Sequence, residues 1–153
     1  MKDSIQHTAS APQPIVRIAP VCNGKIYVIP RTPSNGQQFY MDLPIEEETE
    51  IRTPRTGKAA RKVMAKYRPH LSTDATPRFS VQYHSRPPLQ ESVCLYILPL
   101  KEEHEISFRD GRFVSAEEIE TSPQLFSRKL QEESALLGMA AELWDSDLDA
   151  FNI

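Results

Sequence analysis

The segment Ser92-Val93-Cys94-Leu95-Tyr96-Ile97-Leu98-Pro99-Leu100 is apolar almost throughout. An amphipathic strand alternates, whereas a strand without alternation needs cover on both faces. This run therefore predicts the centre of a sheet with helices on either side. A second segment fixes how the sheet starts. Ile15, Val16, Ile18 and Val21 precede Asn23-Gly24, and Ile26, Tyr27, Val28 and Ile29 follow. Asn-Gly accepts the positive φ angles of a tight type I′ turn, so a hairpin is expected, with Pro20 and Pro30 weakening only the strand ends.

The remaining elements follow from periodicity and caps. Phe39 to Pro44 is a short apolar segment, and Glu46, Glu47, Glu48 and Glu50 make an acidic loop after it. Ala60, Val63, Met64 and Tyr67 share a face at helical spacing, predicting a helix from about Gly57 to Tyr67, capped by Thr56 and ended by Pro69. Arg78 to His84 reads as a strand. Asp110-Gly111 predicts a tight turn between Ile106-Ser107-Phe108 and Arg112-Phe113-Val114. Ser115 with Glu118 forms a capping box for a short helix. Ser122-Pro123 then opens the longest helix, with Phe126, Leu130, Leu137, Ala141 and Trp144 as its apolar stripe. The expected fold is α/β: a mixed sheet, the helix near 57–67 on one side and the helix near 123–144 on the other.

At 153 residues and 39% hydrophobic content, one core is expected rather than two. The organisation read from the chain is a polar arm over 1–13, a domain over 14–144, and an acidic tail over 145–153 dotted with Leu148 and Phe151. A net charge of −3 argues against broad binding to nucleic acid or a membrane surface. No run is long enough to span a membrane, and the first residues lack a secretion signal, so the cytoplasm is the expected compartment. Cys22 and Cys94 lie in apolar runs and read as buried hydrophobes. The four histidines show no metal-ligand spacing.

Charge is nevertheless unevenly placed. Residues 51–73 hold Arg52, Arg55, Lys58, Arg61, Lys62, Lys66 and Arg68 and no acid, directly after the acidic run. Such a stretch is either a solvated helix face, paired with the glutamates before it, or an anion site.

Taken in order, these elements resemble the Nudix hydrolase superfamily. Asn23 to Arg31 is similar to its second strand ending in arginine, Asp42-Leu43-Pro44 to the segment before its glycine pair, and Arg112 to Ile119 to its late strand and capped helix. The resemblance implies a metal-binding box, Gly-x5-Glu-x7-Arg-Glu-hydrophobic-x-Glu-Glu-x-Gly, whose glutamates hold divalent cations. With Ala59-Ala60 on the family's paired alanines, Lys62 falls at the arginine, Val63 at the first helix glutamate, and Lys66 and Tyr67 at the glutamate pair. The glycines are replaced by Ile45-Glu46. Val63 offers no lone pair and an ammonium repels Mg²⁺.

The resemblance thus implies a pseudoenzyme with a degenerate box: a non-catalytic module for a phosphate-bearing metabolite, a nucleotide or a protein partner. Its anion site would be Arg52, Arg55, Arg61, Lys62 and Lys66, with no cofactor. Two alternatives stand beside it. One is a divergent pyrophosphohydrolase of nucleoside diphosphate derivatives, with Mg²⁺ on Glu46, Glu47, Glu48 or Glu50. The other is a structural or homodimerising protein. A second stretch, Glu120-x7-Arg128-Lys129-Leu130-Gln131-Glu132-Glu133, matches the box spacing better but lies too late in the chain for the strands that must follow; Glu132 and Glu133 are expected on the solvated face of the last helix.

Overall fold

A computed structural model of the chain describes residues 14–32, 39–49, 57–87 and 90–147, the side chains of 144–147 excepted. The hairpin forms where expected. Asn23 and Gly24 both take positive φ (53° and 75°), joining β1 (Ile15–Cys22) to β2 (Lys25–Arg31). Only the turn end of the pair is zipped together, through Val21 with Ile26 and Cys22 with Lys25. Beyond it the strands part. The first half of β1 pairs with β4 (Ile45–Glu48), while the second half of β2 pairs with β3 (Tyr40–Asp42). The parted end is where the clefts described below open.

The other edge of β1 pairs in parallel with β6 (Ser92–Pro99), and β5 (Arg78–His84) lies antiparallel beyond β6. β6 is buried from Val93 to Leu98, as its unbroken apolar run demands. The sheet is mixed, ordered β3-β2-β1-β6-β5, with β4 on β1 and β7 (Arg112–Val114) on β2. Two hydrophobic layers cover it. One holds Ala19, Val21, Leu95 and Ile97 beneath α3 (Arg128–Asp147), with Leu130, Leu137 and Ala141 facing in. The other holds Val16, Ile18, Tyr96 and Leu98 beneath α1 (Lys58–Tyr67), whose Ala59, Ala60, Val63 and Met64 are buried. Both cysteines lie in the core. The expected α/β class and the placement of a helix on each side are observed.

Four local expectations are corrected. The acidic run is not a loop: residues 45–48 form β4, because Ile45 packs opposite Ile18 and the glutamates find cations on both faces of the sheet. α1 begins at the left-handed Gly57 (φ 84°) with no side-chain cap, and Thr56 lies outside the described residues. Asp110 turns the chain at φ 59°, yet the segments around it do not pair with each other. Ile106 bridges Leu71, and β7 pairs with β2. Finally, Pro123–Leu125 is a single 3-10 turn, and the last helix starts only at Arg128. Ser127 caps it, its Oγ accepting from the Leu130 N–H at 3.1 Å. The short helix α2 (Ala116–Thr121) has the expected cap, with Ser115 Oγ accepting from the Glu118 N–H.

Candidate functional site

The first striking departure from an apolar core is on β1. Arg17, between Val16 and Ile18, points into the α3 side and is fully buried. A guanidinium there needs all five of its N–H donors satisfied. Nε and Nη2 fork onto Glu133 of α3 at 2.7 and 2.8 Å, and Nη2 and Nη1 reach the Asp42 carboxylate at 2.9 and 3.4 Å. Nη1 also donates to Glu46 Oε1. Burial works against the charge on Arg17, but Glu133 and Asp42 outweigh it and hold the guanidinium protonated more firmly than usual.

The two buried carboxylates respond differently. For Glu133, burial prevails over Arg17 and over the Tyr83 hydroxyl donating at 2.6 Å, and its affinity for a proton rises. For Asp42, burial is outweighed by Arg17, helped by the Ser127 hydroxyl and the Leu43 N–H, and its pKa falls. Lys129 closes the network as an ion-pair partner of Glu91 (2.7 Å) and Glu46 (3.5 Å). Glu133 is thus corrected from solvated to buried, at 3% exposure. The sequence carried a signal for it: Glu133 stands three residues after Leu130 and four before Leu137, on the apolar stripe itself.

Beside this network the parted strands enclose a cleft of about 800 Å³ between β2, β3, β4 and the start of α3. Tyr40 and Phe126 give it aromatic surface, and Asp42 and Glu46 lie in its wall. Those acids are committed to Arg17. Arg31 and Arg128 stand at the cleft, Arg31 with its Nε 3.9 Å from Asp42 and Arg128 in no ion pair among the described residues. Arg31 is steadied by Nη2 donating to the carbonyls of Leu43 (2.9 Å) and Pro44 (3.2 Å). Arg128 is exposed. The first turn of α3 adds donors: Leu130 N–H is taken by Ser127 Oγ and Gln131 N–H by Ser127 O, which leaves the N–H groups of Arg128 and Lys129 without a helical acceptor.

The residues expected to hold an anion or a metal fall elsewhere. Arg52, Arg55 and Glu50 lie outside the described residues. Lys62 and Lys66 are exposed on α1 and line a hollow of about 240 Å³ together with Glu47 and Glu48, so two cations face two anions. Arg61 does not line it. Glu46 and Glu47 are adjacent on a strand and point to opposite sides. Glu46 meets Arg17 on the α3 side, whereas Glu47 accepts from Lys66 Nζ (2.9 Å) and the Tyr67 hydroxyl (2.6 Å) on the α1 side. Val63 is buried at 5% exposure. Among the described residues, no group of three or more histidine, cysteine or acidic side chains is placed to hold a metal ion.

The Lys66–Glu47–Tyr67 contact sets a measurable titration. The Tyr67 hydroxyl is pushed up to about 12 by burial and then by Glu47, while Glu47 is lowered by the Tyr67 hydroxyl and Lys66. In an ultraviolet pH titration, Tyr67→Phe should remove a phenol that ionises well after an ordinary tyrosine. The acid side has the opposite sense. Glu47 has a depressed folded pKa, so its stabilisation is present at neutral pH and lost as pH falls through and below the usual carboxylate range; Tyr67→Phe should shrink that loss. An unchanged titration on both sides would contradict the contact.

No protein-family model matches the chain, and no curated protein matches it. Solved structures do. The Ap4A hydrolase of C. elegans aligns with a TM-score of 0.54 and 11% identity over 86% of this chain and 98% of that one. Tm1382, a proposed Nudix hydrolase, gives 0.53 and 12% over 92% and 78%. DR0079 from Deinococcus radiodurans gives 0.50 and 14% over 75% and 76%. At such identities the likeness is one of architecture, and that architecture is the Nudix-like fold. No helix among the described residues is long and apolar enough to cross a membrane.

Proposed function

We propose that this chain uses its Nudix-like fold to bind a phosphate-bearing ligand of the nucleotide class in the cleft between β2, β3 and the start of α3, without hydrolysing it. The observation that carries the reading is the exposed guanidinium of Arg128, in no ion pair among the described residues, standing with Arg31 beside helix N–H groups and an aromatic wall, while every acid in the same wall is already held by Arg17. Phosphate oxygens take charge-assisted hydrogen bonds from such donors, and a ring can lie on Tyr40. This moves the proposed anion site away from Lys62 and Lys66, whose charge Glu47 and Glu48 offset.

Support for the non-catalytic part comes from α1. On the alignment that sets Ala59-Ala60 on the family's paired alanines, the three metal carboxylates are replaced by a core valine, by Lys66 and by Tyr67. The last two contact Glu47, so an ammonium stands where the family places a cation. The test is calorimetric titration of ADP in metal-free buffer. Arg128→Glu, an exposed change, should weaken binding about tenfold or more, since one charge-assisted contact contributes roughly 1.5–3 kcal/mol. ADP affinity unaltered by this substitution would contradict the assignment.

A further inference from the structure

Beside the β2–β3 ribbon lies a second hollow of about 740 Å³, sharing only Pro30 and Thr32 with the cleft. Their linings otherwise differ: Tyr40 and Asp42 line the cleft, Phe39 and Met41 the hollow. We infer that this hollow is a second ligand site, taking a planar heteroaromatic anion about the size of a nucleoside monophosphate.

Its aromatic part is built before any ligand arrives. His70 stacks face to face on Phe108, with centroids 3.9 Å apart and planes 8° from parallel. The His70 ring is oriented as well as stacked. Its Nδ1 lies 3.1 Å from the Ser107 carbonyl, which can only accept, so Nδ1 is the donor of that contact. The loop beneath is pinned at several points. Ser107 N–H donates to the His70 carbonyl, Phe108 N–H donates to the Tyr27 hydroxyl at 3.0 Å, and Ile106 bridges Leu71. Gly111 lies so close over Tyr27 that a Cβ would meet the hydroxyl at 2.0 Å, which only glycine avoids.

Across the hollow Phe39 is 62% exposed, an apolar ring held in water beside this platform. Charge selects the ligand. Arg109 is exposed and, among the described residues, in no ion pair, and Arg112 lines the same wall while donating to Glu118 at 2.9 Å. Two guanidinium groups next to stacked rings favour an aromatic ligand that carries negative charge. Asp110, also in the wall, offers acceptors to N–H groups on the ring edge. A lone ring would leave most of this volume empty, so the anionic substituent is part of the fit.

The inference does not depend on the cleft, and one experiment separates the two. AMP is titrated into ¹⁵N-labelled protein in metal-free buffer, and amide shifts are followed for wild type, Arg109→Glu, Phe39→Ala and Arg128→Glu. All three positions are exposed or peripheral, so folding is retained. AMP should move the amides of Phe39, His70 and Phe108–Arg112. Arg109→Glu should weaken that response tenfold or more and Phe39→Ala severalfold, with Arg128→Glu leaving it intact. Shifts confined to Arg31, Arg128 and Lys129, or a hollow response untouched by Arg109→Glu and Phe39→Ala, would overturn the second site while leaving the cleft standing. Shifts confined to the hollow would support it and count against the cleft.

Discussion

Replacing Arg17 by methionine should destabilise the fold by about 3–5 kcal/mol, read as a drop in the urea midpoint. Methionine fills much of the arginine stem, so little of the loss comes from packing. The loss comes chiefly from Asp42 and Glu133, which would keep their burial and lose the cation between them; Glu46, half-buried and still beside Lys129, contributes less. Removing one side of a buried ion pair leaves the other side's desolvation uncompensated. The variant should therefore be less damaged in mild acid than at pH 8. Carboxylates without Arg17 have raised folded pKa values, and stability from such groups is present at low pH and lost as pH rises through them. Adding Glu133→Gln should recover part of the deficit, because a neutral amide tolerates burial better than an orphaned carboxylate. A loss below about 1 kcal/mol for Arg17→Met, within the range of exposed ion pairs, would contradict the buried network.

Leu130→Ala should cost about 2–5 kcal/mol, the range for truncating a fully buried leucine. Leu130 is 0% exposed and packs in the layer that holds Met41, Leu43, Phe126 and Leu137. It also sits in the first turn of α3, directly after the two residues that face the cleft. The substitution should therefore loosen the placement of Arg128 and Lys129 and weaken ADP binding as well as stability. Met139→Ala on the same helix is the control: Met139 is 69% exposed, and its change should stay within about 0.5 kcal/mol. Equal effects at the two positions would mean that α3 does not lie on the sheet as described.

What could be read from the chain was local. Asn23-Gly24 sets its own turn, the apolar run of β6 needs cover on both faces, and Ala60, Val63 and Met64 define a helix face, so these elements stand where the residues put them. The β4 strand was not legible, because its glutamates belong in a sheet only once Arg17 and Lys66, remote in sequence, are beside them. The start of the last helix was misplaced because Ser122-Pro123 carries the same cap chemistry as a true helix start, while Ser127 performs the capping. The acidic run looked like one cluster for metal. Strand alternation divides it, sending Glu46 and Glu47 to opposite faces of the sheet. The cleft arginines were missed for a related reason: Arg31 and Arg128 lie far apart in sequence, and only the parting of β1 from β2 brings them to one opening.

The proposal of binding without hydrolysis is tested most directly by following ADP and related nucleoside diphosphate derivatives with the full chain, measuring heat of binding and phosphate release in parallel, with and without Mg²⁺ or Mn²⁺. The expected result is saturable binding in metal-free buffer, weakened by Arg128→Glu, and no phosphate release above background at any metal concentration. Metal-dependent turnover that is abolished when Glu47 and Glu48 are changed to glutamine would contradict it, and would assign the acidic strand a catalytic metal instead.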